Sequence, residues 1–103
     1  MNVYDAKKDL EKFVAASGDP AAEITLVAYD KNIFGNAIIT VTLIGVEIRV
    51  TLDRGQTFLD IWDEKLDAFI KAESVIQEFQ TIQQNGRWTL RDQLEAIAVH
   101  FSF

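Results

Sequence analysis

The amino-acid sequence predicts an α+β fold: an antiparallel β-meander of three to four strands, with an N-terminal helix before it and two C-terminal helices after it. Three observations carry this. The middle of the chain alternates apolar and polar residues with period two. Both flanks repeat apolar residues with helical period, and five isolated glycines punctuate the junctions. The 103 residues suit one domain, 1–103. At 49% hydrophobic and 25% charged residues, the chain has enough apolar surface to build a core, so wholesale disorder is not expected.

The elements follow in order. Val3, Ala6, Leu10, Phe13 and Val14 recur at helical spacing, with charged residues on the other face, and predict a helix from about Tyr4 to Ala16. Ser17-Gly18-Asp19-Pro20 ends it, Gly18 serving as the left-handed residue past the last turn and Pro20 as a stop. Glu23 to Asp30 is the first β-rich run, Asp30 to Asn36 a polar loop, and Ala37 to Leu43 the second run. Val46 to Asp53 gives the cleanest strand signal: Val46, Ile48, Val50 and Leu52 alternate with Glu47, Arg49, Thr51 and Asp53.

The second and third runs specify their own register. With Ile44-Gly45 as a two-residue loop, Leu43 faces Val46, Val41 faces Ile48, Ile39 faces Val50 and Ala37 faces Leu52, all on one apolar side. A slip of one residue mixes the faces. The turn type stays open, because Ile44 suits a type I′ turn poorly and a type II turn needs only Gly45 at positive φ. Asp53-Arg54-Gly55-Gln56 is a second turn, read as a three-residue loop with a bulge at Gly55. Thr57 to Trp62 is short, aromatic-rich and follows a Gly turn, which predicts a fourth strand; the rival is a helix start with Thr57 and Asp60 as a capping box.

From Asp63 the pattern predicts a long helix along Leu66, Phe69, Ala72, Ile76, Phe79 and Ile82, closed by Asn85-Gly86. Thr89 with Asp92 forms a capping box for a last helix from Leu90 to about Val99, followed by an apolar tail.

Charge and chemistry narrow the function. Sixteen acidic residues against ten basic ones give a net charge of −6. The scattered Lys and Arg disfavour nucleic acid and anionic membranes, and the acidic balance suits a basic protein partner. With no cysteine and no apolar leader, a cytoplasmic protein without disulfides or thiolate sites is expected. The lone His100 near the end and the isolated serines Ser17, Ser74 and Ser102 form no nucleophile–base pair. No phosphate-cradling glycine loop is present, and no cofactor is expected. Asp60, Asp63, Glu64 and Asp67 would share one face of a continuous helix and could there hold a divalent cation for hydrolysis, but first-turn carboxylates have an ordinary role at a helix's positive end.

Surface recognition remains. If Leu59 and Ile61 join the apolar side of the hairpin, the reverse side collects Val27, Tyr29, Ile38, Phe58 and Trp62 among threonines. That side is too apolar to be fully wet, so a helix covers it, which is the first expectation, or a partner does. Tyr29 and Trp62 with Asp60, Asp63, Glu64 and Asp67 are the candidate partner-binding residues, an aromatic anchor beside charge. Trp88, flanked by Arg87 and Arg91, is a second exposed candidate; the alternative is a staple packing on the first turns of the last helix.

The stretch Val46-Glu47-Ile48-Arg49-Val50-Thr51-Leu52-Asp53-Arg54-Gly55-Gln56-Thr57-Phe58-Leu59-Asp60-Ile61 resembles the strand–Asp-Arg-Gly-Gln–strand hairpin of small bacterial proteins, among them immunity proteins of polymorphic or contact-dependent toxin systems. The resemblance covers about a sixth of the chain and rests on a structural turn. It implies a cytoplasmic antidote that binds a toxin domain and performs no chemistry. A homodimer using the Tyr29/Trp62 side is the rival expectation, and the acidic-cluster hydrolase a third.

Overall fold

The computed structural model describes residues 2–32 and 35–103. Five strands, β1 (Glu23–Asp30), β2 (Asn36–Leu43), β3 (Val46–Asp53), β4 (Gln56–Asp63) and β5 (Ala68–Lys71), form one antiparallel meander in chain order. The helix α1 (Val3–Ser17) precedes them; α2 (Ala72–Val75), α3 (Glu78–Gln84) and α4 (Leu90–Phe101) follow. The α+β arrangement is the expected one, with five strands instead of three to four. Positions 33 and 34 of the expected 30–36 loop lie outside the described residues.

The register of β2 on β3 follows the apolar pattern: Ala37–Leu52, Ile39–Val50, Val41–Ile48 and Leu43–Val46 pair directly. Ile39, Val41, Ile48 and Val50 are fully buried. Each such side chain contributes about 1.5–3 kcal/mol of burial, so a one-residue slip would expose the centre of the core. Across this face lie Ala6 and Leu10 of α1, Phe79 and Ile82 of α3, and Leu90, Leu94 and Ile97 of α4, all in one apolar cluster.

Both hairpin turns have two residues at positive φ, Ile44 at 47° with Gly45 at 75°, and Arg54 at 52° with Gly55 at 80°. This is type I′ geometry, whose twist matches that of the strands it joins. The second turn therefore has a two-residue loop, with Asp53 opposite Gln56, in place of the expected three-residue loop with a bulge. Each turn is tied by a distant side chain. Asp19 Oδ2 accepts the Ile44 N–H at 2.7 Å, and Asn36 Oδ1 accepts the Arg54 N–H at 2.9 Å. The Ile44 amide, helped by that of Ala21, holds the Asp19 carboxyl below the ordinary aspartate range.

The long helix expected from Asp63 is not formed; the chain there makes a turn, a fifth strand and two short helices. Asp63 Oδ1 accepts the N–H groups of Lys65 and Leu66 at 2.8 and 3.2 Å, and Asp67 turns back at φ 52°. The returning strand pairs Ile70 with Ile61 and Phe69 with Trp62. Pairing satisfies outward backbone groups of the Asp60–Asp63 half of β4, which a helix beginning at Asp63 would leave open. The helical stripe holds from Ala72 on, where Ala72, Ile76, Phe79 and Ile82 are buried, whereas Leu66 is 66% exposed.

The ends of the outer helices match their sequence signals. Asn2 Oδ1 caps α1 by accepting the Asp5 N–H, and Gly18 closes it at φ 71°. Thr89 and Asp92 form the capping box of α4. That helix runs to Phe101, two residues past the expected Val99, and the apolar tail packs back on α1 through Phe13 and Phe103.

Candidate functional site

Residues directly opposed in an antiparallel ladder point to the same side of the sheet. Ile38, Thr51 and Phe58 thus share one face, as do Arg49, Asp60 and Lys71, and as do Trp62 and Phe69. None of these residues belongs to the buried core. The helices pack on the opposite face and leave this one bare, which corrects the expectation of a covering helix. The physical reason lies in the core face, whose aliphatic side chains already occupy α1, α3 and α4.

The middle of the bare face is an organised cluster. Arg49 donates from Nε and Nη2 to Asp60 Oδ2 at 3.2 and 3.0 Å. Its guanidinium lies 4.4 Å from the centroid of the Phe69 ring, and Trp62 meets that ring edge-on at 5.2 Å. Partly exposed ion pairs and cation–π contacts contribute only about 0.5–1 kcal/mol each. Their effect here is to hold Arg49, Trp62 and Phe69 in one orientation rather than to stabilise the fold. Phe58, 47% exposed, extends the patch along β4.

The six residues singled out from the sequence do not all meet. Asp60 and Trp62 lie together on the bare face. Tyr29 does not join them: it pairs with Ala37, on the helix side. The register shifts between Leu26 and Ala28, so a bulge at Val27 reverses the alternation that placed Tyr29 beside Trp62. Tyr29 is still 43% exposed. Asp63 is the turn residue described above, while Glu64 and Asp67 are exposed in the loop it organises. The four carboxylates therefore lack the shared helical face that the expected metal site requires. Among the described residues no three His, Asp or Glu side chains form a group that could hold a metal ion.

Two residues of the cluster escaped the sequence reading. Arg49 registered only as a polar alternate, and Phe69 was assigned to a helix stripe. The two-residue loop at Arg54-Gly55 is what places Arg49 opposite Asp60. Trp88 is 37% exposed and packs edge-on against Phe79 of α3 at 5.5 Å. The residue where a staple partner would sit is Gln93, whose Nε2 donates to the Trp88 carbonyl at 3.2 Å. His100 Nδ1 lies 3.2 Å from Glu78 Oε2, linking α4 to α3 at the surface.

The fold and this face define an α+β domain with helices on one side of a sheet and an aromatic–charged patch on the other. Comparison of the chain with protein-family models, curated proteins and solved structures finds no match. No helix among the described residues is long and apolar enough to cross a membrane.

Proposed function

We propose that this domain is a non-enzymatic protein-binding module whose bare sheet face receives a partner. The observation that carries this reading is the ordered cluster of Arg49, Asp60, Trp62 and Phe69, flanked by exposed Phe58, on a face with no helix over it. Large aromatic and Arg side chains held in place before binding are what interface hot spots require. A net charge of −6 favours a basic partner.

The most specific form of the proposal is a cytoplasmic immunity protein that neutralises a bacterial toxin by masking it. The resemblance of the 46–61 hairpin supports it, as do the small size and the acidity. The test is co-expression with a toxin domain encoded in the neighbouring gene. Co-purification of a stoichiometric complex that weakens as salt rises supports the proposal. A host locus with no toxin gene beside it removes the antidote form.

A homodimer is the second reading, favoured by the open edge of β1 with Leu26, Val27 and Tyr29 exposed. Light scattering across a concentration series decides it: a constant dimer mass supports assembly, and a strict monomer excludes it.

A further inference from the structure

The sheet has an open backbone lane besides its outer edge at β1. Strand β5 pairs with β4 only from Asp60 to Asp63, so among the described residues the Gln56–Leu59 half of β4 has no strand beside it on that side. In β4 the residues alternate between facing β3 and facing away. The two-residue loop makes Asp53 and Gln56 the closing hydrogen-bonded pair. Phe58 and Asp60 then also face β3, while the backbone N–H groups of Thr57 and Leu59 and the C=O of Thr57 point into the open lane.

A cleft of about 410 Å³ lies along this lane, with Thr57, Leu59, Phe79, Trp88 and Gln93 in its lining. Gln93 is the one polar residue of the buried set among the described residues, at 1% exposure. Its Nε2 is bonded to the Trp88 carbonyl. Phe79 and Gln93 are themselves buried, whereas Trp88 is 37% exposed. The cleft thus offers backbone donors and an acceptor on one wall and the Trp88 ring beside it.

We infer that this lane is a binding site for an extended peptide segment of a partner protein, which adds as a short strand beside Thr57–Leu59. The segment's backbone pairs with Thr57 and the Leu59 N–H, and an apolar side chain rests on Trp88. Strand addition of this kind draws affinity from main-chain hydrogen bonds and selectivity from alternate side chains. The occupant spans about four residues, roughly 13 Å. The β1 edge is the poorer template. Its bulge at Val27 breaks the regular spacing of donors and acceptors, and Glu23 and Asp30 place charge at its two ends. This inference deepens the protein-binding reading and rests on it only in taking the ligand to be a polypeptide.

The test selects binders from a displayed library of random decapeptides on the intact protein and titrates the best one, synthesised, by NMR. The expected result is slowed exchange of the Thr57 and Leu59 amides. N-methylation of the peptide should destroy binding at alternate positions only. Thr57→Pro deletes a lane donor without touching the β3 ladder, and should weaken binding about tenfold while the spectrum keeps its dispersion. The peptide scan needs no protein variant, so it decides the matter even if Thr57→Pro fails to fold. Two results overturn the inference: no peptide emerges, or those that do shift Ile38, Arg49 and Trp62 and leave the Thr57 and Leu59 amides unchanged. The second result would place the ligand on the bare face and strengthen the broader reading.

Discussion

The two faces of the sheet come from the same alternating strands, yet they do different things. On the helix side, Ile39, Val41, Ile48 and Val50 lose all contact with water. On the other, their immediate neighbours Ile38, Thr40, Arg49 and Thr51 stay partly exposed. The first face holds the fold together by non-directional burial. The second keeps oriented aromatic and charged groups whose packing adds little to stability. A protein can change the second face freely only because the first has already secured the register.

The largest expected effect breaks the first face. Ile48→Ala should cost about 3 kcal/mol in urea unfolding, through lost burial and the cavity left behind, whereas Phe58→Ala should cost under about 1 kcal/mol. Near-equal losses would show that the bare face is part of the core. The second effect inverts the comparison. Trp62→Ala should weaken partner binding by about 2 kcal/mol in calorimetry, while Val50→Ala should alter stability more than the affinity of the folded fraction.

A third prediction concerns the loop that sets the register shared by both faces. Ile44 is exposed and at positive φ, a strained state for a β-branched residue. Ile44→Asn should stabilise the protein by about 1 kcal/mol in the urea midpoint, because Asn accepts this conformation readily. A fourth separates orientation from stability. A double-mutant cycle on Arg49 and Asp60 should give a coupling of only about 0.5 kcal/mol in stability, and a larger one in partner binding.

The smallest effect belongs to the carboxylates at the ends of the elements. Asp19 is held below its ordinary range first by the Ile44 amide, and Asp92 first by the Thr89 hydroxyl and then by Arg87. Their folded pKa values thus lie below the unfolded ones. The stability they add is full above the unfolded aspartate value, about pH 4, and is lost as pH falls through the folded values. Carboxyl NMR titration should place both midpoints below those of exposed aspartates. Asp19→Asn should flatten the acid limb of the urea midpoint.

Much of the fold was legible because local chemistry and burial agreed. Val46 to Leu52 could pair with Ala37 to Leu43 in only one register without mixing faces, and the caps at Gly18 and Thr89 stated their helix ends. The fifth strand was hidden because Leu66, Phe69, Ala72 and Ile76 also satisfy a helical period. Tyr29 was misplaced because a bulge adds one residue to one strand and leaves no mark on composition. Arg49 and Phe69 lie 20 positions apart and meet only through two strand pairings.

The sequence by itself determined the strand alternation, the central register, both outer helices and the absence of cysteine chemistry, since each depends on neighbours along the chain or on composition. The tertiary structure decided the fate of residues 63–71, the side on which Tyr29 points, and which face of the sheet stays bare. Those outcomes depend on which backbone groups need partners and how many helices fit over one face, quantities that exist only once the chain has folded.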